Sequence, residues 1–199
     1  LTSDRLEPAL TLREATVRCW IYRRMRDWTR AGQLAVRIGT MTAAGARFTS
    51  LEQRYRTAEG QGQYEQLSVI VRQMAALDRN AAREWWAILP GQNMPQAMRL
   101  ELRLEAIRLW PGDNRFERPL TDELVAMFLQ GRSAQFLEIS ARALASLAQP
   151  DHRAGLLYFR SLALKETGQT AAAGEAAIQA LIAEPLGYYH VLLADLPPR

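Results

Sequence analysis

Cysteine, histidine and lysine are nearly missing from this chain of 199 residues. A single cysteine, Cys19, excludes an internal disulfide framework and a thiolate-based zinc site. The two histidines, His152 and His190, stand far apart, and neither has a Glu or a second His at the i+3 or i+4 spacing that would place two metal ligands on one helical face. Lys165 is the sole lysine, so positive charge is carried almost wholly by arginine, whose planar guanidinium favours bidentate pairing with carboxylates. Proline does not occur between Pro8 and Pro90, which leaves that stretch free to form uninterrupted helices. No apolar run approaches the length of a membrane-spanning helix. Gly-rich phosphate loops, a G-x-S-x-G elbow and a G-x-G-x-x-G turn are all lacking, so no catalytic residue, cofactor or metal is expected. The chain starts at Leu1 with neither a methionine nor an apolar leader, which reads as a fragment or a mature form.

What is present is charge of uneven distribution and strong helical periodicity. Residues 1–100 hold fifteen arginines against nine acidic residues, and the remainder holds ten basic residues against twelve acidic ones. A basic N-terminal half suits an acidic partner, although a solvated arginine face gives the same composition. Val17, Trp20, Ile21, Met25 and Trp28 recur at helical spacing and predict one buried stripe; Tyr64, Leu67, Val71 and Met74 predict another. The run 67–71, LSVIV, has helical flanks and reads as helix rather than strand. The periodicity predicts helices over 12–31, 33–45, 48–59, 63–77, 79–89, 95–109, 120–130, 133–147, 151–167, 170–184 and 186–194.

The expected turns share one chemistry, a glycine before a long polar residue: Gly32-Gln33, Gly60-Gln61, Gly62-Gln63, Gly91-Gln92, Gly131-Arg132 and Gly168-Gln169. They are roughly 30 to 40 residues apart, the period of stacked helical pairs. Residues 110–119, WPGDNRFERP, combine two prolines, a glycine and Asp-Asn, and predict a loop. That loop either divides the chain into 1–110 and 120–199 or links two repeats of one solenoid, 1–199; the second is expected, because stacked repeats share a continuous core.

Residues 154–185 carry the clearest pattern. Small side chains at Ser161, Ala173, Ala177 and Ala180 let two helices approach, Gly168 supplies the turn and Pro185 ends the second helix. This stretch resembles a tetratricopeptide (TPR) unit, and the upstream pairs resemble it more distantly. The expected fold is all-α, a superhelical α-solenoid of about five antiparallel helix pairs. A scaffold of this kind holds a protein or peptide partner on its inner wall, with arginines contacting carboxylates.

Candidate binding residues follow. Arg23, Arg26 and Arg30 accompany Trp20, Tyr22 and Trp28 in the most basic segment. Basic and aromatic interleaving can serve single-stranded nucleic acid, but tryptophans on an apolar stripe point to packing, and no nucleic acid is expected. Trp85 and Trp86 are adjacent, so on a helix their rings point about 100° apart; one faces the core and the other a neighbouring helix or a ligand. Cys19 is expected to be a buried, inert thiol.

After Pro185 the chain reads LGYYHVLLADL. With Tyr158-Phe159, Gly168, Ala173, Tyr188-Tyr189 and Leu193-Ala194, this segment resembles the end of the superhelical domain of soluble lytic transglycosylases; Thr49 to Arg54 and the Gly60 turn resemble it more weakly. The resemblance implies a periplasmic helical module that supports a separate catalytic domain and contacts peptidoglycan glycan strands. The Glu-Ser motif and Gly-Leu-Met-Gln segment of that catalytic domain do not occur here, so no catalytic residue carries over. Without that relationship the expected compartment is the cytoplasm, where the arginine-rich first helix would dock on an acidic surface.

Overall fold

A computed structural model describes residues 10–89 and 94–194. Among them the chain is all-helical, with no strand. The helices are α1 (Leu12–Arg24), α2 (Trp28–Gly39), α3 (Ala46–Gly60), α4 (Tyr64–Leu77), α5 (Arg79–Ile88), α6 (Gln96–Leu109), α7 (Asn114–Leu129), α8 (Ser133–Leu144), α9 (Pro150–Glu166), α10 (Thr170–Ala183) and α11 (Tyr188–Ala194). The chain divides into two compact units, 1–93 with α1–α5 and 94–199 with α6–α11, so the 110–119 segment lies inside the second unit. The expected turn at Gly91-Gln92 lies outside the described residues.

Four helix hairpins, α1–α2, α3–α4, α7–α8 and α9–α10, are closed by three-residue turns of one design. The amide of the residue after the turn centre donates back to a carbonyl of the preceding helix: Asp27 to Tyr22 at 2.9 Å, Gln63 to Ala58 at 2.9 Å, Arg132 to Met127 at 3.2 Å and Gln169 to Leu164 at 2.8 Å. These are Schellman turns, whose centre takes a left-handed backbone. Gly62, Gly131 and Gly168 adopt it at φ of 69°, 76° and 78°; in the first hairpin Arg26 adopts it at φ 58°.

Burial repeats in register with the turn centre. Eleven and seven residues before it the first helix buries Ala15 and Cys19, Leu51 and Tyr55, Leu120 and Leu124, Leu157 and Ser161. Five and twelve residues after it the second helix buries Ala31 and Ile38, Leu67 and Met74, Phe136 and Ala143, Ala173 and Ala180. At these positions large residues fill α3–α4 and nearly all of α7–α8, and small ones predominate in α1–α2 and α9–α10.

Three sequence expectations are corrected. The first helix does not run to residue 31; it ends at Arg24, and Gly32 lies inside α2. The stripe of Val17, Trp20, Ile21 and Met25 is not buried; these side chains are 49%, 52%, 40% and 68% exposed. α1 faces the core with Ala15 and Cys19 instead, packed on Leu34, Ala35 and Ile38 of α2. Trp28 packs against Gly60, where any side chain would overlap its ring. Third, 114–119 is helical. Asp113 caps α7, accepting from the Arg115 amide at 3.1 Å, and Pro119 sits within the helix. Phe116, Glu117 and Leu120 are buried on this segment, and their anchoring outweighs the hydrogen bond the proline forfeits. Of the second stripe, Leu67, Val71 and Met74 are core residues of α4, and Tyr64 at the helix start is only partly buried.

The Glu117 side chain is fully buried and ties two loops together. Its carboxylate accepts from the amides of Gly112 at 2.7 Å, Ala148 at 2.9 Å and Gln149 at 2.9 Å. The Gln149 carboxamide donates to the Gly112 carbonyl at 2.7 Å, closing the joint.

Candidate functional site

The first hairpin carries a trough along α1 and α2. A capping box starts α1: Thr11 Oγ1 accepts from the Glu14 amide at 3.2 Å, and Glu14 accepts from the Thr11 amide at 2.8 Å. Asp27 starts α2, its carboxylate accepting from the Arg30 amide at 3.1 Å. These caps fix the faces of both helices. α1 presents Arg18 and Tyr22, one turn apart. α2 presents Arg30, then Gln33 and Leu34, then Arg37, along two turns.

Together with Leu10 these six residues line a cavity of about 260 Å³. Three guanidiniums border it, and Asp27 pairs with one of them, Arg30, at 3.4 Å. Arg30 also lies 6.0 Å from the Tyr22 ring centre. A second hollow of about 360 Å³ shares Leu10, Leu34 and Arg37 and is completed by Ala15, Ile38, Met41 and the Thr40 and Thr42 side. The trough therefore passes from an arginine-rich end to an apolar end. A carboxylate suits the first, since guanidinium forks pair with it bidentately, and an aliphatic side chain suits the second.

The sequence-derived site residues distribute over several places. Arg30 lines the trough. Arg26 is the exposed centre of the first turn. Arg23 is half-buried and donates to Gln53 Oε1 at 2.7 Å; burial lowers its pKa from the ordinary guanidinium value, as does, to a lesser degree, nearby Arg56. Arg56 lies 5.3 Å from the Trp85 ring centre, so Arg23 and Trp85 share a neighbourhood through it. Trp85 is held edge-on to Tyr55 at 5.0 Å. Burial raises the Glu52 pKa there, opposed by Arg56 and by a hydrogen bond with Trp85. Trp86 is not a ligand-facing residue: it is fully buried and donates from Nε1 to the Val71 carbonyl at 3.2 Å. Cys19 is likewise buried, and desolvation pushes its thiol up to about 11 against the opposing pull of Arg23.

Arg18 and Tyr22 belong to the basic, aromatic segment that the sequence marks but were not among the candidate binding residues, and Gln33 and Arg37 were not singled out at all. With one helix drawn from 12 to 31, Arg18 and Arg30 stand on a single rod twelve residues apart. Once the chain turns at Arg26 they face each other. The signal that finds them is the i, i+4 pair on α1 and the i, i+3, i+7 series on α2, read as two helices.

In the C-terminal unit an aromatic chain runs through the residues that carried the transglycosylase resemblance. Phe128 meets Phe136 at 5.6 Å and Phe159 at 5.8 Å, and Tyr158 meets Tyr189 at 5.2 Å. The Tyr189 ring lies on Gly155, with no room for a Cβ. Arg99 grips Glu123 with bonds of 2.7 and 3.0 Å, and Arg103 lies 3.2 Å from the same carboxylate.

His152 Nε2 is 2.6 Å from Asn114 Oδ1. Among the described residues no three of His, Cys, Asp and Glu are grouped to hold a metal, and no helix is long and apolar enough to cross a membrane. No family model, curated protein or solved structure matches the chain.

Proposed function

We propose that this chain is a TPR-like helical-repeat scaffold, and that the trough of its first hairpin holds a segment of a partner protein in which acidic residues are followed by aliphatic ones. The four hairpins with one turn design and one burial register support the repeat reading: Arg26 and Gly62 stand 36 residues apart, and Gly131 and Gly168 stand 37 apart. The observation that carries the ligand class is the passage from three guanidiniums to an apolar hollow within one trough. No catalytic role is assigned to any residue.

The test is fluorescence anisotropy with a labelled peptide carrying three acidic residues followed by leucines. The expected result is saturable binding that weakens with salt, and a Kd raised about tenfold or more by Arg18→Glu or Arg37→Glu. Equal binding by these variants, or tighter binding of a lysine-rich peptide, overturns the reading.

A second reading keeps the resemblance: the superhelical module of a periplasmic lytic transglycosylase, touching glycan strands. Its support is the aromatic chain, which ends at Tyr188, 69% exposed. Exposed tyrosine can stack on a sugar ring. Cosedimentation with purified peptidoglycan, reduced by Tyr188→Ser, is the expected outcome; no cosedimentation rejects it. The compartment follows the reading: periplasm for this one, cytoplasm for an intracellular scaffold.

A further inference from the structure

We infer that the exposed apolar face of α1 docks on the exposed apolar face of α10–α11 of a second copy of this chain, in a head-to-tail contact. This rests on the ends of the two units and is independent of what the trough holds.

The register identifies the α1 face as a stacking face. In the two hairpins that follow another within their own unit, the residue nine before the turn centre meets the preceding hairpin; in α7, whose hairpin is the first of its unit, that residue is the exposed Asp122. Gln53 holds that position in α3 and accepts from Arg23 of α1 at 2.7 Å. Phe159 holds it in α9 and packs on Phe128 of α7 at 5.8 Å. In the first hairpin the position belongs to Val17, and it is open, as are Trp20, Ile21 and Met25 beside it. Four large apolar side chains on one helix face are a docking surface rather than scattered exposure. Arg13 and Arg24 flank them at helical spacing, Arg24 lying 5.4 Å from the Trp20 ring centre.

In the C-terminal unit, Ile178 and Ile182 lie one turn apart on α10, at 58% and 71% exposure, and Leu186 follows at 99%. Tyr188 and Val191 lie outward on α11. Charge selects the pairing. Arg13, Arg24 and Arg26 are exposed on residues 12–26, whereas Arg18 lines the trough and Arg23 donates to Gln53; the one acid of the segment, Glu14, is engaged by the Thr11 cap. Residues 170–194 hold Glu175 and Glu184 and neither lysine nor arginine. Two copies of the α1 face would set arginines against arginines; α1 against α10–α11 sets them against carboxylates. Such a contact joins unlike surfaces, so a pair of copies keeps one free face of each kind.

That property supplies the experiment. Trp20→Asp blocks one face and Ile178→Asp with Ile182→Asp blocks the other; all three sites are exposed, and circular dichroism checks folding. In sedimentation velocity the wild type is expected to grow in mass with concentration, each variant alone to stay monomeric, and an equimolar mixture of the two to form a one-to-one dimer and nothing larger. Arg24→Glu and Glu175→Arg, both at exposed positions, are each expected to weaken wild-type association about tenfold. A wild type that stays monomeric at every concentration overturns the inference. So does association by the Trp20 variant alone, or a mixture in which the variants do not pair.

Discussion

Arg26 occupies a backbone region that glycine fills in the three sister turns. A side chain there costs roughly 1 kcal/mol in crowding against the backbone. Arg26→Gly is therefore expected to raise stability by about 0.5–1 kcal/mol, read as a higher melting temperature with the same helix content; a lower melting temperature would mean that the arginine side chain stabilises the turn in some other way. Glu117 is the opposite case, a fully buried carboxyl group that accepts from three backbone amides. Glu117→Ala leaves three amides without an acceptor, and a loss of roughly 3 kcal/mol or more in urea denaturation is expected. Glu117→Gln keeps one oxygen, and two of the three amides share a single oxygen, so its loss should be smaller. If the two variants lose equally, the carboxylate is not anchoring the joint through these bonds. The sequence shows why such residues escape notice: an arginine does not announce a left-handed turn, and a glutamate among prolines and a glycine resembles loop composition.

Among elements, α6 and α8 are joined by Arg142 and Glu101 through two bonds of 2.6 Å. The hydrogen bonds from Arg142 hold the Glu101 carboxyl below its ordinary range, with burial opposing and the charges of Arg142 and Arg108 assisting. A carboxylate whose folded pKa is depressed contributes stability above its unfolded pKa and loses it as pH falls through the folded value. Both side chains are near half exposed, at 43% and 54%, so solvent screens the pair and its worth stays under about 1 kcal/mol. Arg142→Gln should flatten the fall in stability on acidification by that small amount, and added salt should do the same to the wild type. An identical acid profile in the variant would remove the pair from the account. Most helices were legible because periodicity and glycine turns agreed, but the first turn, centred on Arg26, and the helical residues 114–119 were not. Two errors came from elements whose apolar pattern misleads: α1 carries its large residues outward and its small ones inward, so the strongest stripe marks the wrong face. At 114–119 proline outvoted a buried phenylalanine and glutamate.

For the whole molecule, charge and repeat register organise the chain together. The N-terminal unit holds the arginine excess and the trough, and the C-terminal unit holds the aromatic packing. Composition made the basic half visible, and Arg30 of the candidate site with it. The remaining trough residues depend on a reversal of chain direction that no spacing rule reveals until the turn is placed. The lone cysteine gains meaning at this scale. Cys19 Sγ points at the Ala31 carbonyl, 3.7 Å away, inside the wall that separates α1 from α2. Since no other thiol exists in the chain, the speed at which a disulfide reagent reaches it is a native stopwatch for parting of those two helices, and whatever settles in the neighbouring trough should slow the hand.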